Sequence, residues 1–222
     1  ASTAIGADTS ERIFLFDGTY TGGATLNSNG WLIGQPSTNA PSTFDALFGI
    51  STPVGTQTRP AIGTAGPVTV GGSVALGANS VVKGIAITTA AGGISGTSVS
   101  GVDVSQTQIT TTDGPALSLL SVGGTVNLTN VVQTAGATGI DVGLSAAAVT
   151  IAGGSIGGTT TAAINIVGGT GNFASDVTVN VAAGRAVAVA DRSGTSTVTF
   201  DGPITATGGT GISLTANTAT TT

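Results

Sequence analysis

From Pro67 to the end of the chain, apolar residues alternate with small or polar ones in short runs, each bounded by Gly, Thr, Ser, Asn or Asp. A period of two marks a strand with one buried face, and helical periodicity is nearly missing, so the pattern predicts an all-β protein. The first apolar residue of each run after a small-residue turn forms a column at Val74, Ile94, Leu117, Ile140, Ile164, Val187 and Ile212. From Ile94 onward its members follow one another at a nearly constant step. A second column runs through Val102, Val126, Val149, Val177 and Val198, each with an apolar partner two positions on, and its step from 149 to 177 is stretched. A looser third column runs through Ile109, Val132, Ile156, Val181 and Ile204. Three short strands in each turn of about 23 residues predict a single-stranded parallel β-helix, a solenoid. Strands this short are unstable alone, but turns stacked about 4.8 Å apart pair each strand with the one above and the one below.

The alternation assigns the two sides. In Gly139-Ile140-Asp141-Val142 and Ala163-Ile164-Asn165-Ile166 the Ile and Val side chains point inward, and Asp141 and Asn165 point to water. The pairs Gly123-Gly124, Gly153-Gly154, Gly168-Gly169 and Gly208-Gly209 are expected to supply the positive φ that corners need. One domain spans residues 1–222, interrupted by an insertion at 36–66 that breaks the period and holds four of the seven prolines. Within it, Ser42–Gly49 places Phe44, Leu47 and Phe48 at helical spacing, which predicts one short helix whose apolar face packs onto the early turns. A binding loop is the alternative, since long loops on rigid scaffolds often carry function.

Three segments carry a family likeness: Asp8-Thr9 with Arg12–Tyr20, then Trp31–Gln35, then Ser80–Ile87. They resemble the opening turns of pectin-lyase-like parallel β-helices, and most closely those of long bacterial secreted and surface proteins of the adhesin and autotransporter-passenger kind. The resemblance implies a right-handed helix and an extracellular or cell-surface location. It also raises enzyme chemistry, because many members of this fold cleave polysaccharides.

Composition narrows that chemistry. Cys, His and Met are all absent from the sequence, which excludes disulfides, thiolate or imidazole metal sites, and Ser-His-Asp or Cys-His catalysis. Five Lys and Arg against ten Asp and Glu give a net charge of −5, and the cations Arg12, Arg59, Lys83, Arg185 and Arg192 are scattered. Nucleic acid is therefore not an expected partner. No apolar run approaches the roughly 18 residues that a membrane-spanning helix requires, so none is expected.

A polysaccharide lyase or hydrolase of this fold needs acids at matching positions of adjacent turns. Asp103, Asp141, Asp176, Asp191 and Asp201 do not coincide in adjacent turns of the predicted register. Asp113-Gly114 and Asp201-Gly202 read as turns, Asp191-Arg192 near Arg185 as an exposed ion pair, and Asp8, Glu11 and Asp17 as a solvated edge, with a weak cation site as the alternative. Tyr20 and Trp31 read as packing residues of the first turns. Thr150, Thr178 and Thr199, preceded by Asp103 and Asn127, form a row of the kind ice binders use, but no paired Thr-x-Thr array is maintained.

No catalytic, cofactor or metal residues are assigned. The expected function is a non-enzymatic structural or adhesive segment of an extracellular bacterial surface or filament protein. The alternatives are a polysaccharide-binding or polysaccharide-degrading protein, then an ice binder. Expected partners are a surface carbohydrate or protein ligand and further turns of the same kind. Because Gly211–Leu214 opens a new turn in register and no capping motif follows, the chain is expected to be a segment of a longer solenoid or to self-associate end to end.

Overall fold

A computed structural model of the chain describes residues 11–38 and 66–218, together with Asp45, Phe48, Gly55, Thr220 and Thr221. It is an all-β parallel solenoid, with turns of about 23 residues. The column that begins at Val74 forms the spine of an eight-stranded parallel sheet. Ala24 pairs with Val74, and the register then runs through Ile94, Leu117, Ile140, Ile164, Val187 and Ile212 without a slip. From Val74 to Val187 every member is at most 1% exposed. Ile212 keeps the register but is 56% exposed, because no further strand lies on its outer side among the described residues.

The other two strand positions of each turn merge into one 15-stranded sheet, because Val102–Thr111 and Gly124–Gln133 each run unbroken round a corner. Here the register differs from the columns expected from sequence. The second column is Leu32, Val82, Val104, Val126, Val149, Phe173 and Val198. Phe173 takes the place assigned to Val177, so the stretched step disappears and Val149 to Phe173 matches the spacing of the other turns. Val177 misled because it is also buried, at 2% exposure, while lying between the strands Phe173–Ser175 and Thr178–Val181. Val102 pairs with Gly124 rather than Val126.

The third column runs Val70, Ile87, Ile109, Val131 and Gly154, so Val131 rather than Val132 faces the core. A neighbouring inward column joins Thr111, Gln133, Ile156, Val179 and Ile204, in which Val179 replaces Val181. Alternation breaks at the corner within each strand, so that Thr107 follows Val104 and Val131 follows Leu128 as the next buried residue, while the pairing between the two strands slips by one residue there and returns to its earlier offset.

Small residues make the corner before the eight-stranded sheet. Gly93, Ala116, Gly139, Ala163, Ala186 and Gly211 each precede a spine residue. A Cβ on Gly139 would run into Ile156 and the Ala163 carbonyl, so the chain has no room for a side chain at that position.

The corner after the sheet is held by backbone conformation. Ser98, Ser121, Leu144, Gly168, Asp191 and Ala216 all have φ between +50° and +63°. The first five donate their N–H groups to the carbonyl one turn on at 2.7–3.0 Å. Five of the six are not glycine, and Gly208-Gly209, expected to supply positive φ, does not. The insertion helix falls mostly outside the described residues. Phe48 of that segment is buried and stacks on Trp31, with ring centroids 5.9 Å apart.

Candidate functional site

Three places on the solenoid gather polar or aromatic chemistry. On the outer face of the eight-stranded sheet, Asp141 pairs directly with Asn165, whose Nδ2 donates to Asp141 Oδ1 at 2.8 Å. Ser118 and Ser95 continue this row below, and Ala188 and Ser213 continue it above. Asp141 therefore has one amide neighbour and no acid beside it in register. Asp103 pairs with Val81 and Thr125 on another face, and Asp201 follows the strand Thr197–Phe200. Among the described residues no three acids converge on a position where they would hold a cation. Glu11 and Asp17 are described, with Asp17 exposed and its backbone N–H bonded to Gln35 Oε1 at 3.0 Å, whereas Asp8 lies outside the described residues.

The threonine row does not align as the sequence suggested. Asn127 pairs with Thr150, but the next member is Ala174, followed by Thr199, while Thr178 sits beside Ser155 on the adjoining face. Asp103 pairs with Thr125, not Asn127. The shift that moved Phe173 into the core column moved Ala174 into this outward row.

The aromatic side chains cluster on the first turns. The Arg12 guanidinium carbon lies 4.2 Å from the centroid of the Trp31 ring, and Nη1 donates to the Phe48 carbonyl at 3.2 Å. Phe14 meets Phe48 and Phe16 edge-on at 6.1 and 5.2 Å. Trp31 is half-buried under Phe48 and thus packs, as expected, while Tyr20 is 37% exposed and donates its hydroxyl to the Phe16 carbonyl at 3.1 Å. A stacked cation lets this outer surface be covered without leaving a bare charge.

The third place overturns an expectation. Arg192 is not half of an exposed pair with Asp191: it is 1% exposed and, among the described residues, the largest fully buried side chain. Its Nη1 donates to the Gly168 carbonyl at 2.6 Å, and Nη2 donates to the Gly171 carbonyl and to Ser196 Oγ. Burial pushes its pKa below the usual arginine value.

Arg192 sits five positions past the spine residue, where earlier turns carry Val99, Val122, Ser145 and Gly169, and Val122 and Ser145 are themselves buried. Ser145 works the same way on a smaller scale, donating to the Val122 carbonyl at 2.7 Å and accepting from the Ala147 N–H at 3.2 Å. Two consecutive glycines one turn below, Gly168-Gly169, were the signal that a long side chain is accommodated here. The role is to satisfy loop carbonyls of the preceding turn, which is positioning and not catalysis.

No family model, curated protein or solved structure matches the chain. Among the described residues no helix is long and apolar enough to cross a membrane.

Proposed function

We propose that this chain is a non-enzymatic structural or adhesive solenoid of the extracellular bacterial-surface type, a stiff spacer that carries the 36–66 insertion. The observation that carries the reading is the unbroken spine, which stays in register from Ala24 to Ile212 while the outward residues beside it change from turn to turn. The row through Ser95, Ser118, Asp141, Asn165, Ala188 and Ser213 is one such changing set. What repeats is what keeps a rod straight, and what varies faces outward. The seven steps of this eight-stranded sheet span about 34 Å at about 4.8 Å each.

In this reading the solenoid continues beyond strand Thr210–Thr215, through further turns of the same chain or through a second copy stacked on it. That strand presents Ile212 and Leu214, 56% and 54% exposed, on an edge that continues the inner columns. An apolar strand edge of that kind is a template for another strand.

Incubation with polygalacturonate, alginate and related acidic polysaccharides, with and without Ca²⁺, tests the non-enzymatic part. No cleavage is expected, and turnover that disappears in Asp141→Asn or Asp201→Asn would overturn it.

A further inference from the structure

Two successive corners between the eight-stranded sheet and the larger one are built alike. Residues 27–30 join the strands Ala24–Thr25 and Trp31–Gly34, and residues 77–80 join Val74–Ala75 and Val81–Lys83. A backbone bond closes each corner, from Gly30 N–H to the Asn27 carbonyl at 3.0 Å and from Ser80 N–H to the Gly77 carbonyl at 3.3 Å. Each also places an asparagine at positive φ, Asn29 at +62° and Asn79 at +54°. Asn79 lies one turn above Asn29, and its Nδ2 donates to Asn29 Oδ1 at 3.2 Å.

The corners differ in the residue that follows the asparagine. Asn29-Gly30 is the only Asn-Gly pair in the sequence. Glycine has no side chain to hinder its own nitrogen, so in an unfolded chain this is the asparagine most open to attack by its neighbour. The Gly30 nitrogen gives its proton to water and attacks Asn29 Cγ. The new N–Cγ bond closes a succinimide ring, the Cγ–Nδ2 bond breaks, and ammonia leaves carrying a proton in exchange. Water then opens the ring at either carbonyl and leaves aspartate or isoaspartate.

We propose that Asn29-Gly30 is a self-modification site, held shut by the turn above it and released when the two turns part. The Asn29 side chain is exposed, but the groups that must react are withheld. Gly30 is buried, and its N–H is already donated to the Asn27 carbonyl. The Asn29 carboxamide is tied to Asn79. On either side of the reacting peptide, Asn29 N–H donates to the Ala78 carbonyl at 2.7 Å and the Gly30 carbonyl accepts from Val81 N–H at 3.0 Å. With both ends bonded to the next turn, the main chain between them is not free to carry the Gly30 nitrogen onto Cγ. Opening of the ring to isoaspartate adds one carbon to the main chain between those same two bonds. They cannot then both re-form, so a transient parting of the turns becomes permanent.

Peptide mapping of the full chain in mildly alkaline buffer, with and without urea, measures the conversion at Asn29. A reaction that passes through an open state runs at the unfolded rate multiplied by the fraction open, so the folded chain should convert at least about tenfold more slowly than the chain in urea. Asn79→Gly keeps the positive φ of the upper corner and removes the tie to Asn29. It should speed conversion several-fold in the folded chain and leave the rate in urea unchanged. Chains converted to isoaspartate in urea and then refolded should exchange the Asn29 and Val81 amide hydrogens faster than unmodified refolded chains. A folded chain that converts Asn29 as fast as the unfolded one would overturn the proposal. So would a folded Asn79→Gly chain that converts no faster than wild type, or isoaspartate chains that regain full protection of both amides.

Discussion

Two neighbouring parts of each turn obey different rules. At the spine, Val74, Ile94, Leu117, Ile140, Ile164 and Val187 are alike in chemistry and almost fully buried. Four positions on, at the corner, Ser98, Ser121, Leu144, Gly168, Asp191 and Ala216 share a backbone conformation and almost nothing else. The interior constrains side-chain volume because each residue packs on its counterpart in the next turn. The corner constrains only φ, and its hydrogen bond to the next turn uses a backbone N–H, which the first five of these residues donate. Identity repeats where packing decides, and conformation repeats where the backbone decides.

The sharpest way to break this contrast is inside the spine. Ile164→Ala should cost about 2–5 kcal/mol, since the neighbours above and below cannot collapse into the space. Ile212→Ala, at the same register position but 56% exposed, should cost less than about 1 kcal/mol. Urea midpoints of the two variants measure the difference, and equal losses would mean that stacking from both sides is not what stabilises the column.

Next in size is Arg192→Ala, which leaves the Gly168 and Gly171 carbonyls without their donor. A buried acceptor left unpaired costs about 1–3 kcal/mol, so a loss of about 3 kcal/mol is expected. A loss below about 1 kcal/mol would show that the guanidinium is solvated in solution.

The corner responds in the opposite direction. Leu144→Asn should raise the stability of the chain by about 0.5–1 kcal/mol, because asparagine adopts the left-handed region at lower cost than leucine. Smallest is Asn165→Ala, which removes one partly exposed bond to Asp141 and should cost about 0.5 kcal/mol. Thermal midpoints resolve the sign of the first, and a double-mutant cycle with Asp141→Ala isolates the second.

The same contrast explains what was legible in the chain. The spine was readable to the residue, because Val, Ile and Leu alternate there with polar neighbours at a nearly constant step. The second column slipped where Phe173 replaced valine and the equally buried Val177 offered a false continuation. The third slipped because Val131 and Val132 are adjacent, and the break in alternation at the corner between Leu128 and Val131 decides which of them faces inward. Arg192 was misread because charge next to Asp191 suggests an ion pair. Its burial follows from a place in the turn that the sequence displays only once the corner is aligned with Gly168-Gly169 below it. The apolar corner at Leu144 carried no signal at all, since a positive φ on leucine leaves no mark in composition or period.

The register itself can be measured directly, because a chain without cysteine accepts two nitroxide labels at chosen sites and nowhere else. Thr150→Cys with Ala174→Cys places labels on neighbouring strands in direct register, with backbones about 4.8 Å apart. Thr150→Cys with Thr178→Cys places them on adjoining faces, since Thr178 is in register with Ser155. The stacked solenoid described above predicts strong dipolar broadening for the first pair and clearly weaker broadening for the second, whereas stronger coupling between 150 and 178 would contradict it.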